Sequence, residues 1–158
     1  MNSKAEKLFQ RSIRFLSYRD RSEKEIIDYL KNKLEDNDDE NLIVKTIERL
    51  KDHGLVDDVE FAGKWVRARY RRGKGPKRIW GELYKKGIDR QIITNSLKKM
   101  VNEEEWLESA GKLVEKRIDG WSQHGYLKKR DKLLKFLLYR GFPLGMAKKA
   151  IDQLIKPE

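Results

Sequence analysis

Residues 57–88, DDVEFAGKWVRARYRRGKGPKRIWGELYKKGI, decide the fold. Phe61, Ala62, Trp65 and Ala68 fall on one helical face, and Asp57 or Asp58 stands where a carboxylate caps a helix start. Lys64, Arg67 and Arg71 recur at helical spacing on another face. GKGP (73–76) breaks this helix, and Pro76 suits the first position of the next. That helix buries Ile79, Trp80 and Leu83 and stops at Gly87. From Lys64 to Arg90 there are eleven Lys or Arg against two acids, Glu82 and Asp89, a balance of +9 in a chain of +11. No acid stands between Lys64 and Glu82. Like charge left unrelieved repels itself, which points to a counter-charged partner: nucleic acid, or a protein assembly built on it.

The flanks repeat the pattern. Residues 4–18 place Ala5, Leu8, Phe9, Ser12, Ile13 and Leu16 on one helical face. Ser22 and Glu25 form a capping-box pair opening a helix through Ile26, Ile27, Leu30 and Leu34. EDNDDE (35–40) reads as a solvated acidic turn, its acids suited to the positive end of the helix from Leu42 to Leu50. His53-Gly54 ends that helix. Beyond the central stretch, Asp89 caps a helix through Ile92, Ile93, Leu97 and Met100. Asn102 with Glu103, Glu104 and Glu105 opens another, with Trp106, Ala110, Leu113 and Val114 on one face. A looser link, DGWSQHGY (119–126), precedes Leu133, Leu134, Leu137 and Leu138. Gly141 stops that helix, and Pro143 opens a last one through Met146, Ala150, Ile151 and Leu154.

Ile79, Leu83, Gly87 and Ile92 match Leu133, Leu137, Gly141 and Met146 at an offset of 54, and Ile26 and Leu30 match Ile79 and Leu83 at 53. Repetition at this period indicates stacked helical units. The expected fold is all-α: three tandem three-helix repeats forming an elongated, curved right-handed helical array. The units span 1–55, 56–101 (the basic one) and 102–158.

Composition agrees. The 158 residues are 40% charged and 38% hydrophobic, lean for one deep core, which suits an array of thin ones. Without cysteine there are no disulfides and no thiolate chemistry. No apolar run reaches membrane-span length and MNSKAEKLFQRS lacks a signal-peptide core, so a cytoplasmic, monomeric protein without membrane contact is expected.

The partner-binding candidates are Lys64, Arg67, Arg69, Arg71, Arg72, Lys74, Lys77, Arg78, Lys85 and Lys86. Lys98 and Lys99 extend the patch, and Lys128, Lys129 and Arg130 form a smaller one. Gly73-Lys74-Gly75 lacks the spacing of a nucleotide-binding loop. Two readings of it stand: an ordinary turn, or a helix start whose free N–H groups hold one phosphate. Asp57-Asp58 reads as helix capping, with no companion of metal-ligand spacing nearby. Trp65, Trp80 and Trp106 read as core. Trp121 and Tyr126 lie in a link without apolar period, where stacking on a partner is an open alternative. His53 and His124 sit at element ends. No nucleophile, base or metal constellation is seen, so no enzyme, cofactor or metal is expected.

LKDHGLVDDVEFAGKWVRAR (50–69), GKGPKRIWGELYKKGID (73–89) and LLKFLLYRGFPLGMAKKAI (133–151), with RSEKEIIDYL (21–30), resemble the RecX family. The resemblance covers nearly the whole chain; EDNDDE departs from it where a glycine turn is usual. It implies three three-helix units that bind in the groove of the RecA filament on single-stranded DNA. There they bridge neighbouring protomers and limit ATP hydrolysis, strand exchange and coprotease activity, in recombination, DNA repair and the SOS response. The alternative is a stand-alone module binding single- or double-stranded nucleic acid, since helix–turn–helix proteins also pair short basic helices across a tight turn.

Overall fold

The computed structural model describes residues 3–157. The outermost positions of the expected first and third units, 1–2 and 158, lie outside the described residues. All regular structure among the described residues is helical. The first three helices are α1 (Lys4–Leu16), α2 (Glu23–Lys31) and α3 (Asn41–Asp52). The middle three are α4 (Asp58–Arg71), α5 (Pro76–Lys85) and α6 (Arg90–Met100). The last three are α7 (Glu103–Ile118), α8 (Tyr126–Arg140) and α9 (Leu144–Leu154), with one 3-10 turn (Asp119–Trp121) between α7 and α8.

The helix starts follow local chemistry. Asp57 Oδ1 accepts the Val59 and Glu60 N–H groups at 3.0 and 3.2 Å. Asp89 accepts from Gln91 N–H, and Asn102 and Glu105 form a reciprocal capping box. Ser22 accepts the Glu25 N–H at 3.2 Å, but the predicted box stays half-formed. The Glu25 carboxylate turns away instead to Arg19 and Lys86, each at 2.9 Å. EDNDDE is a solvated turn in all but Asp38, its other five residues being exposed. Asp38 accepts the Glu35 N–H and is clasped by Lys4, which also reaches Glu35 at 3.2 Å. These contacts hold the Asp38 pKa below its ordinary value, the Lys4 hydrogen bond most of all.

In each triplet the first and third helices pack most extensively: α1 on α3, α4 on α6, α7 on α9. The first unit closes its own core from Leu8, Phe9, Ile26, Leu30, Ile43, Ile47 and Leu50, with Val56 from the chain leading into α4. The second and third units share one core, running through Val66, Ile79, Leu83, Val101, Trp106, Leu133, Leu137, Phe142 and Ile151. On α4 the inward positions are Phe61, Ala62, Gly63 and Val66. Ala68, expected inside, is exposed. The inward arc follows Ala62–Val66, and Gly63 lies against the end of the Met100 side chain of α6.

The middle helices meet end to end. The C-terminal end of α8 abuts the start of α5: Gly75 N–H donates to Arg140 O at 2.8 Å and Lys77 N–H to Gly141 O at 2.9 Å. The end of α5 abuts the start of α2, where Ser22 Oγ donates to Lys86 O at 2.7 Å. Ser22 and Gly75 correspond at the repeat offset, as do Lys86 and Arg140. One geometry therefore builds both seams. Each joins a helix's negative end to the next helix's positive end, a favourable head-to-tail dipole arrangement. The seams differ in filling. The second is lined by the shared core; the first is largely polar, with Lys86–Glu25 at 2.9 Å, Lys64–Asp20 at 3.3 Å, and Asp58 Oδ1 accepting the Glu23 N–H at 2.9 Å.

Candidate functional site

The ten candidate cations separate into two groups. Three are held by carboxylates. Arg69 makes a two-pronged pair with Glu82 at 3.0 and 2.7 Å, both side chains largely covered, while Trp65 Nε1–H donates to the same carboxylate at 3.3 Å. Lys86 binds Glu25 and lies 4.8 Å from the Trp65 ring centre. Lys64 reaches Glu60 at 3.0 Å and Asp20 at 3.3 Å, which raise its pKa, Glu60 more. Glu82, Glu60 and Asp20 thus supply in space the counter-charge missing between Lys64 and Glu82 in sequence.

Arg67, Arg71, Arg72, Lys74, Lys77, Arg78 and Lys85 form no ion pair with a carboxylate among the described residues. The α4–α5 turn gathers Arg71, Arg72, Lys74, Lys77 and Arg78. Arg67 is exposed on α4 with Met100 Sδ at 3.6 Å, and Lys85 lies at the far end of α5. Arg78 places its guanidinium 5.6 Å from the Tyr139 ring centre. Lys74 is crowded: burial, then Arg140, Arg78 and Arg69, hold its pKa below the ordinary lysine value.

The phosphate-holding alternative for Gly73-Lys74-Gly75 loses most of its amides, since those of Gly73, Lys74 and Gly75 all donate to carbonyls. Pro76 has no N–H, and those of Gly75 and Lys77 are spent on the Arg140 and Gly141 carbonyls. An anion here meets side chains rather than the Gly75 and Lys77 amides. Three cations that sequence reasoning passed over join the turn: Lys112 and Lys116 on α7, and Arg140 at the end of α8. The one available signal was the repeat register, which aligns Arg140-Gly141 with Lys86-Gly87.

The remaining candidates are structural in placement. Asp57 caps its own helix, and Asp58 reaches α2, its pKa raised chiefly by burial. No cluster of three or more His, Cys, Asp or Glu suited to a metal occurs among the described residues. Trp121 and Tyr126 pack against the shared core. His53 Nδ1 sits 2.8 Å from Arg49 O, and His124 is held below its ordinary pKa by burial and by Lys128, Lys132 and Lys129. Arg130 pairs with Asp152 at 3.1 Å. No helix among the described residues is long and apolar enough to cross a membrane.

Helix triplets joined end to end through their middle members place this chain among the helical repeat proteins. Within that class the likeness is specific. Models of the first, second and third three-helix domains of RecX match residues 9–50, 57–97 and 103–151. The chain belongs to the RecX family. It is 39% identical over 149 residues to the regulatory protein RecX of Oceanobacillus iheyensis, covering 94% of this chain and 53% of that one. It is 34% identical over 149 residues to that of Finegoldia magna, covering 92% and 71%. Across the first relatives the chain spans between about half and 71% of their length. Among solved structures, RecX from Lactobacillus salivarius superposes with a TM-score of 0.87 at 30% identity, covering 95% of this chain and 96% of that one. A second regulatory protein RecX gives 0.79 at 26% identity, covering 94% and 71%.

Proposed function

We propose that this chain regulates the RecA recombinase by binding rather than by chemistry. It docks in the groove of the RecA filament on single-stranded DNA and lowers ATP hydrolysis, strand exchange and coprotease activity, in bacterial recombination, DNA repair and the SOS response. The observation that carries the reading is the cationic α4–α5 turn, without carboxylate partners among the described residues, in a family whose members are named regulatory proteins. Arg67, Arg71, Arg72, Lys74, Lys77, Arg78 and Lys85 make the partner contact. Lys64, Arg69 and Lys86 border it while holding the scaffold.

Bridging is the mechanism. Units with fixed end-to-end seams form a rod that touches more than one protomer, and once one unit is bound the others engage at high effective concentration. A rod that fits one filament geometry better than another shifts the filament towards it, by no more than its difference in affinity for the two. If the favoured geometry is not the one needed for turnover, ATP hydrolysis falls.

The test is DNA-stimulated ATP hydrolysis by the cognate recombinase with the chain titrated in. Inhibition below one chain per protomer is expected; an unchanged rate at saturation contradicts the proposal. The second reading, a stand-alone nucleic-acid module, is favoured by the same turn. It predicts tight binding without recombinase, log affinity falling against log salt by roughly 0.7 for each phosphate contacted on a single strand.

A further inference from the structure

The seam between the second and third units opens into a cleft of about 360 Å³. Arg71 and Arg72 from the end of α4, Lys112 and Lys116 from α7, and Arg140 from the end of α8 border it, and no carboxylate does. Among the described residues only Lys112 of these five pairs with an acid, the exposed Glu108 at 3.5 Å. Arg140 Nε is buried and has no acceptor among the described residues. Its backbone is fixed, because Gly75 bonds the Arg140 carbonyl and Lys77 the next one. A buried donor without an acceptor is unfavourable, and cations converging from three helices repel one another. A bound anion among these cations relieves their repulsion.

We infer that this cleft is a phosphate site. The phosphate oxygens face the guanidinium groups of Arg71, Arg72 and Arg140 and the ammonium groups of Lys112 and Lys116. Guanidinium groups match phosphate geometry, and a tetrahedral group presents oxygens to several sides at once. A planar carboxylate offers two oxygens and leaves more of these cations unmatched. The phosphate belongs to a nucleic-acid strand passing the α4–α5 turn, or to a free polyphosphate. The inference deepens the filament reading and rests on it only for that origin.

The test follows the Arg140 Nε–H resonance in the full ¹⁵N-labelled chain at constant ionic strength. Sodium tripolyphosphate is titrated in one arm and a short oligothymidylate in the other. A saturable shift is expected, with affinity weakened about tenfold in Lys116→Gln and unaltered in Lys45→Gln, on the exposed side of α3. A shift with the strand alone assigns the phosphate to nucleic acid, and one with tripolyphosphate alone to a free ligand. No saturable shift in either arm overturns the site, as does Lys116→Gln binding as tightly as the parent. Recombinase ATPase is read in parallel with the unaltered chain. Inhibition without an Arg140 shift removes the cleft proposal alone; a shift without inhibition removes the filament reading alone.

Discussion

Gly75 and Gly141 meet backbone to backbone at the seam between the second and third units. A Cβ on Gly75 would fall inside contact distance of the Gly141 carbonyl. Gly75 has an ordinary extended backbone, φ −84° and ψ 165°, so space and not conformation excludes a side chain there. Gly141 is excluded on both counts, with φ +100° and Arg78 against it. Gly75→Ala is therefore expected to destabilise by about 2 kcal/mol, the order of an overpacked contact. Gly81, on the same helix, has open space where its Cβ would go. Gly81→Ala should stabilise by about 0.5 kcal/mol. Urea melts of both variants check the pair, and equal effects would contradict the seam.

Arg69 and its neighbours should separate fold from function. Glu82→Gln removes the charge that holds Arg69 and weakens the bond to Trp65, and should destabilise by about 2 kcal/mol, with Arg69→Ala similar. Arg71→Ala and Arg72→Ala break no ion pair and should move the melting midpoint little. Thermal melts read the difference.

Much of this architecture is legible in the sequence, because helix caps and helical faces are local. Asp57, Asp89 and Asn102 announce their helices whatever lies around them. The repeat is legible because Leu83-Gly87 and Leu137-Gly141 answer the same packing demand. What is not legible depends on the seams. The pairing of Arg69 with Glu82 requires knowing that α4 and α5 fold back on each other, and Lys86 with Glu25 that α5 abuts α2. The cleft needs Arg140 and Lys116, far from the basic stretch in sequence. Ala68 against Val66 is a matter of helix phase, settled by Gly63 lying on Met100.

Asp58 gives a pH signature. Burial chiefly raises its carboxyl pKa, Glu23's charge adds to this, and the Glu23 N–H bond opposes it. A carboxyl raised in the folded state contributes stability that is fully present below its unfolded value, about 3.9, and is lost as pH rises through the folded value. Asn keeps an oxygen for the Glu23 N–H without the buried charge. Asp58→Asn should melt above the parent at neutral pH, the gain shrinking on acidification. Melts across pH check this; a loss at neutral pH would contradict it.

The two seams should respond differently to salt. The first unit's core is closed on itself and its seam is largely ionic, whereas the other two units share a core. The exposed Lys64–Asp20 pair weakens when charge is screened, the covered Lys86–Glu25 pair much less. Hydrogen exchange should show amides of α2 and α3 opening at lower free energy than those of α5 and α8, the gap widening with salt. Uniform protection would contradict the asymmetry.

The central claim is that the arginines left without carboxylate partners face the filament. It is tested most directly by binding of the Arg67→Ala, Arg71→Ala, Arg72→Ala triple variant to preformed RecA–single-stranded DNA filaments, measured by interferometry beside a thermal melt. The account predicts a melt close to the parent's and affinity weakened by more than about tenfold, each lost charged contact counting for roughly a kcal/mol or more. A well-folded triple variant that binds as tightly as the parent would contradict it.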